Sequence, residues 1–137
     1  MKEQFVSLAI AQKLKEKGFD QSCMAYVYTG NTGTNVDQYV YGAISHDGNP
    51  IHENYNVYDM SYSLPLWQQV IDWLREKHRF IINIDYIAHP SHDTKTLPDW
   101  TSEIYNMSRF DYIVAEYDRY TYQEARQAAI EHALTLI

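Results

Sequence analysis

His89-Pro90-Ser91-His92-Asp93 brings two imidazoles and a carboxylate close together along the chain. Such a trio binds Zn²⁺ or a similar ion when three ligands converge within coordination distance. The proline places it on an irregular segment, where spacing guarantees no common face. An ordinary polar loop is therefore the simpler reading, and ligation by His89, His92 and Asp93 the alternative. His46 and His52 flank the Asp47-Gly48 turn and read as solvated loop residues. Asp85 and Glu116 fall on two predicted strands and would suit acid–base work if adjacent, since paired carboxylates split their pKa values. Carboxylates on the wet face of a sheet give the same pattern. The serines occur without a Gly-x-Ser-x-Gly elbow, and Cys23 lacks a local nucleophile signature. No glycine loop of the mononucleotide or dinucleotide type is present. No catalytic set emerges, and no cofactor is expected.

Tyrosine dominates the aromatic residues, with 13 Tyr against 4 Phe and 3 Trp. A tyrosine offers a large contact area with few soft torsions and keeps a hydroxyl for a partner, so it suits binding surfaces. Tyrosine also favours strands and half-exposed sheet faces, which is the blander explanation. Tyr55, Tyr58 and Tyr62 cluster in a polar segment over 51–63 and form the candidate binding surface. Trp100, in a long segment over 89–107, belongs to the second choice.

A chain of 137 residues suits one domain, 1–137, with a core that needs no disulfide or metal staple. Hydrophobic residues at 45% and charged residues at 21% argue against disorder. The single cysteine, Cys23, reads as a buried inert thiol. No apolar run approaches the length of roughly 20 residues that spans a bilayer, and the first residues lack a signal peptide's apolar core. A cytoplasmic protein without membrane contact is expected. The net charge of −7 disfavours nucleic-acid binding, which needs Lys and Arg concentrated on one face. Lys13-Leu14-Lys15-Glu16-Lys17 reads as a solvated helix flank rather than such a face.

The elements that would position these groups follow from periodicity. A first helix is predicted over 6–17, stopped by Gly18 with Phe19 folding back on Leu14. Strands are predicted over 23–29 and 36–44, joined by the Asn31–Asn35 turn as a hairpin. A short edge strand is placed near 56–60. Pro65 opens a helix whose buried side is Leu66, Trp67, Val70, Ile71, Trp73 and Leu74, and a strand over 80–87 follows it. The stretch 89–107 reads as a long irregular loop, then a strand over 109–120. Thr121-Tyr122-Gln123-Glu124 matches a capping box, and Ala125, Ala129, Ile130, Ala133, Leu134 and Ile137 form the last helix's buried stripe. The fold class is α+β: one mostly antiparallel sheet of four or five strands with three helices mainly on one face, in the order α-β-β-α-β-β-α.

Three blocks carry a resemblance: Lys13-Leu14-Lys15-Glu16-Lys17-Gly18-Phe19, Pro65 with Trp73-Leu74-Arg75-Glu76-Lys77-His78, and Tyr122-Gln123-Glu124-Ala125 with Ala129-Ile130. Together they resemble small uncharacterised proteins of Bacteroides and their prophages or mobile elements. The resemblance implies a bacterial or phage origin and carries over no functional residue. The leading expectation is a non-enzymatic accessory module that acts through a protein partner. A small metal-dependent or ligand-binding enzyme built on His89, His92 and Asp93 is the alternative. Self-association through an exposed strand edge is a further mode the sequence admits.

Overall fold

The computed structural model describes residues 2–30, 36–87, 98–108, 111–119 and 121–137, with the backbone alone for 111–117. The chain divides into two compact units, Met1–Val70 and Ile71–Ile137.

In the first unit, helix α1 (Leu8–Glu16) starts at Ser7, whose hydroxyl accepts from the Ile10 amide at 3.4 Å. It stops as its sequence dictates. Gly18 takes a φ of +81°, and Phe19 returns its amide to the Leu14 carbonyl at 2.9 Å. Ile10, Ala11 and Leu14 are fully buried, and Phe19 nearly so. Strands β1 (Ala25–Tyr28), β2 (Gln38–Tyr41) and β3 (Ser61–Ser63) form an antiparallel sheet in the order β2-β1-β3. Ala25 and Val27 lie opposite Tyr41 and Tyr39, and Val27 also lies opposite Tyr62. These side chains therefore share one face, and α1 packs against β3 there.

Beyond β2 the ladder bulges. The amides of Gly42 and Ala43 both donate to the Met24 carbonyl, at 3.0 and 2.9 Å, with Gly42 at a φ of +75°. The edge strand expected over 56–60 is instead a 3-10 turn, Tyr55–Val57, with β3 starting later. Side-chain amides explain the change. The Asn54 Oδ1 accepts from the Asn56 amide at 3.0 Å, while the Asn56 side chain donates to the Phe19 carbonyl and accepts from the Ser63 amide, each at 2.9 Å. Local hydrogen bonding of this kind competes with a strand ladder.

Helix α2 (Trp67–His78) crosses the boundary between the units. Pro65 lies ahead of it rather than in its first turn. The Gln69 side chain accepts from the Leu66 amide at 2.9 Å, serving as the reaching-back half of a capping box. Trp67, Val70, Trp73 and Leu74 are buried, as the helical spacing predicts, while Leu66 and Ile71 are half-buried.

In the second unit, β4 (Phe80–Tyr86), β5 (Trp100–Asn106) and β6 (Asp111–Arg119) form an antiparallel sheet in chain order. Helix α3 (Tyr122–Thr135) packs on all three strands. The Thr121 hydroxyl caps it by accepting from the Glu124 amide at 3.1 Å. Its alanines at 125, 129 and 133 are fully buried with Ile130, and Leu134 almost so, while Ile137, also expected in the stripe, lies past the helix end and is half-buried.

The fold is therefore α+β and antiparallel, with three helices, but one four- or five-stranded sheet is replaced by two three-stranded sheets. Strand β3 is short and leads within two residues to Pro65, which has no N–H for a ladder. Strand β4 pairs with β5, in a segment read as loop. Nor do the helices share one sheet face: α1 packs on β3, and α3 on β4, β5 and β6.

Candidate functional site

Folding separates the three tyrosines of the 51–63 segment. Tyr55 is only 6% exposed and stacks on Tyr26 with ring centroids 4.2 Å apart. Its amide donates to the Ser63 hydroxyl at 3.0 Å, and burial pushes its phenol pKa up. It is a core residue and offers no ring to a partner. Tyr62 is half-buried under the Lys15 ammonium, which sits 4.9 Å from its ring centre. The same ammonium donates to the carbonyls of Tyr58 and Ser61 at 2.8 and 2.9 Å. Tyr58 alone of the three is exposed, at 50%, with its hydroxyl donating to the Glu53 carboxylate. That bond raises the Tyr58 phenol pKa, because losing the proton would set two anions side by side. The structure thus brings Tyr58 and Tyr62 together around Lys15 and withdraws Tyr55. Lys15 was read as a solvated flank. Its position next to Leu14 and four residues after Ala11, both buried, is the signal that places it at the edge of the packed stripe.

Trp100 opens β5, so the loop expected over 89–107 gives way to a strand in its second half. Its ring meets Tyr86 and Tyr122 edge-on, with centroids 5.5 and 5.4 Å away. Such T-shaped contacts satisfy the ring quadrupoles among themselves. His89, His92 and Asp93 lie outside the described residues. Among the described residues, no group of three or more His, Cys, Asp and Glu side chains could hold a metal. His46 and His52 are exposed. Asp85 and Glu116 are not neighbours: β5 separates their strands, with Asp85 opposite Thr101 and Glu116 opposite Glu103. Cys23 is buried, and loss of hydration pushes its thiol up to about 12, which leaves no thiolate at neutral pH.

A different place in the first unit has the form of a binding site. Residues 2–8 lead into α1 and are tied to the segment before α2 by the Val6 amide, which donates to the Pro65 carbonyl at 3.0 Å. Between them and β2 lies a cleft of about 480 Å³ lined by Phe5, Tyr39, Tyr41 and Trp67, with Val6 and Leu8. Lys2, Glu3 and Ser7 supply its polar atoms. Phe5 packs on Tyr41 with centroids 5.3 Å apart, and the Trp67 indole donates to the Glu3 carbonyl at 3.1 Å. Two walls are therefore fixed by core packing, while Tyr39 is 44% exposed. Val36 and Ile44, before and after β2 in the chain, are exposed at 65% and 66%.

Strand β2 is also the edge of its sheet. Among the described residues no strand pairs with its outer side. No sequence signal assembled this cleft, because its four aromatic residues come from three segments far apart in the chain.

Charge marks the same region. Between Lys17 and Arg75 the chain has no Lys or Arg, yet it carries Asp20, Asp37, Asp47, Glu53, Asp59 and Asp72. All three strands of the first sheet fall inside that stretch. No described helix is long and apolar enough to cross a membrane. Comparison with known protein families, curated proteins and solved structures finds no match.

Proposed function

We propose that the protein is a non-enzymatic interaction module, of bacterial or phage origin, that holds a partner protein in the aromatic cleft of its first unit. The observation that carries the reading is the cleft itself: Phe5, Tyr41 and Trp67 fixed by packing, and Tyr39 exposed on an edge strand. Its volume of about 480 Å³ lies within the rough range of 300–1,000 Å³ for sites that take a ligand or an anchoring side chain. Pre-formed walls reduce the ordering that binding would otherwise require. The outer edge of β2 beside the cleft, unpaired among the described residues, offers backbone groups to a polypeptide, which favours a macromolecular partner.

Panning a random peptide display library against the purified protein tests this reading. Selected peptides should lose about tenfold or more in affinity on Tyr39→Ser, because truncating an aromatic anchor removes roughly 1–2 kcal/mol. The variant should still melt cooperatively, somewhat below the wild type, since Tyr39 is 44% exposed and stacks on Tyr41. Binders indifferent to Tyr39→Ser would place the partner surface elsewhere.

A further inference from the structure

The edge strand, the spacing of its tyrosines and the missing cations together specify an occupant. Resting on the cleft reading above, we propose that the partner contributes an extended, basic segment that adds to the outer edge of β2 as a further strand and drops alternate apolar side chains into the cleft.

Three observations carry this. First, β2 has the sequence Gln38-Tyr39-Val40-Tyr41, with no Lys and no Pro to discourage pairing. Edge strands are commonly protected by such residues, so an unprotected one is a ready template for backbone hydrogen bonds. The bulge at Gly42 ends the regular ladder but leaves these four residues extended. Second, Tyr39 and Tyr41 share one face and both line the cleft. A strand laid beside β2 directs every second side chain to that face. Residues two apart in the added segment would thus enter the cleft, and those between them would point away. Third, the stretch of chain that forms the sheet carries carboxylates and no Lys or Arg between Lys17 and Arg75, and Asp37 is exposed at the start of β2. A cationic segment gains from that field, and an acidic one is repelled. The same charge opposes pairing of two copies through β2. The lining of the cleft itself adds one cation and one anion, Lys2 and Glu3.

The test uses the full chain and a synthetic probe, the capped peptide Lys-Phe-Lys-Val-Lys-Phe-Lys, titrated by calorimetry with hydrogen exchange followed in parallel. Saturable binding is expected, with new protection of the amides in Gln38–Tyr41. N-methylation of alternate residues should weaken binding by about tenfold or more in one register and leave the other nearly unchanged, because only every second residue of an added strand faces its neighbour. Replacing every Lys of the probe with Glu should abolish binding, and added salt should weaken the Lys form. Binding sensitive to Tyr39→Ser but equal for the Lys and Glu probes, or indifferent to N-methylation in both registers, overturns strand addition and leaves the cleft reading standing. Binding of neither probe, or binding indifferent to Tyr39→Ser, removes the cleft reading as well. A dimer by light scattering, lost on Gln38→Pro in a chain that still melts cooperatively, assigns the edge to a second copy and overturns the proposal.

Discussion

Cys23 shows what burial does to a single titratable group. It lies two residues before β1, 1% exposed, with its sulfur 3.5 Å from the Gln21 carbonyl. Lost hydration raises its pKa from 9.0 to about 12, so the folded chain holds a proton that the unfolded chain releases. The thiol's contribution is therefore complete below pH 9 and disappears as pH rises toward 12. Wild type should lose about 1.4 kcal/mol per pH unit more than Cys23→Ala across that window. Urea unfolding at several pH values measures it, and the tyrosines cancel because both proteins carry them. Parallel curves would show that the thiol is not desolvated. The inert character of Cys23 was legible in the sequence from the apolar strand beside it. The burial of Tyr55 was not, because it depends on Asn56 bonding to both Phe19 and Ser63. Composition gives the number of tyrosines but no means of telling a stacked ring from an exposed one.

At the scale of elements, boundaries were legible where a residue type carries a specific conformation. Gly18 with Phe19 ended α1, and Thr121 with Glu124 began α3. Strand β5 was hidden for a comparable reason. Its inward positions are Ser102 and Ile104, both fully buried beneath α3, so one of the two core-facing residues is polar. The Ser102 hydroxyl has no hydrogen-bond partner among the described residues. A small residue there suits the close approach of the alanine stripe on α3, at the expense of the alternation that announces a strand. The junction between α2 and β4 departs from the usual residue preference in another way. Arg79 sits at a φ of +63°, a position where helices favour glycine, with its amide on the Arg75 carbonyl at 3.2 Å and its carbonyl accepting from Met107 at 2.9 Å. Arg79→Gly should stabilise the fold by about 1 kcal/mol by relieving the left-handed strain. A higher urea midpoint with unchanged slope would support this, whereas a lower midpoint would show that the arginine side chain matters more than its backbone.

For the whole molecule, single-sequence alternation identifies strands but not their partners, which is why six strands in two sheets read as four or five in one. The cleft stayed hidden because Phe5, Tyr39, Tyr41 and Trp67 meet only after folding. Charge, in contrast, was legible in the bare chain. A net charge of −7 appears ordinary until its distribution is followed, with the lysines of the first unit all before residue 18 and carboxylates alone from there to Arg75. Carboxylates with no intervening cation repel one another, and salt screens such repulsion over about 10 Å at 0.1 M. The melting temperature should therefore rise as sodium chloride is added at neutral pH. Asp37→Lys places one cation on that surface, where exposed charges are worth roughly 0.2–1 kcal/mol. The variant should be more stable than wild type at low salt, and the difference should close as salt is added. It should also bind a basic probe more weakly, so a single substitution separates the field's effect on folding from its effect on recognition. A stability difference that persists at high salt would point to a local contact at residue 37 instead of the summed field.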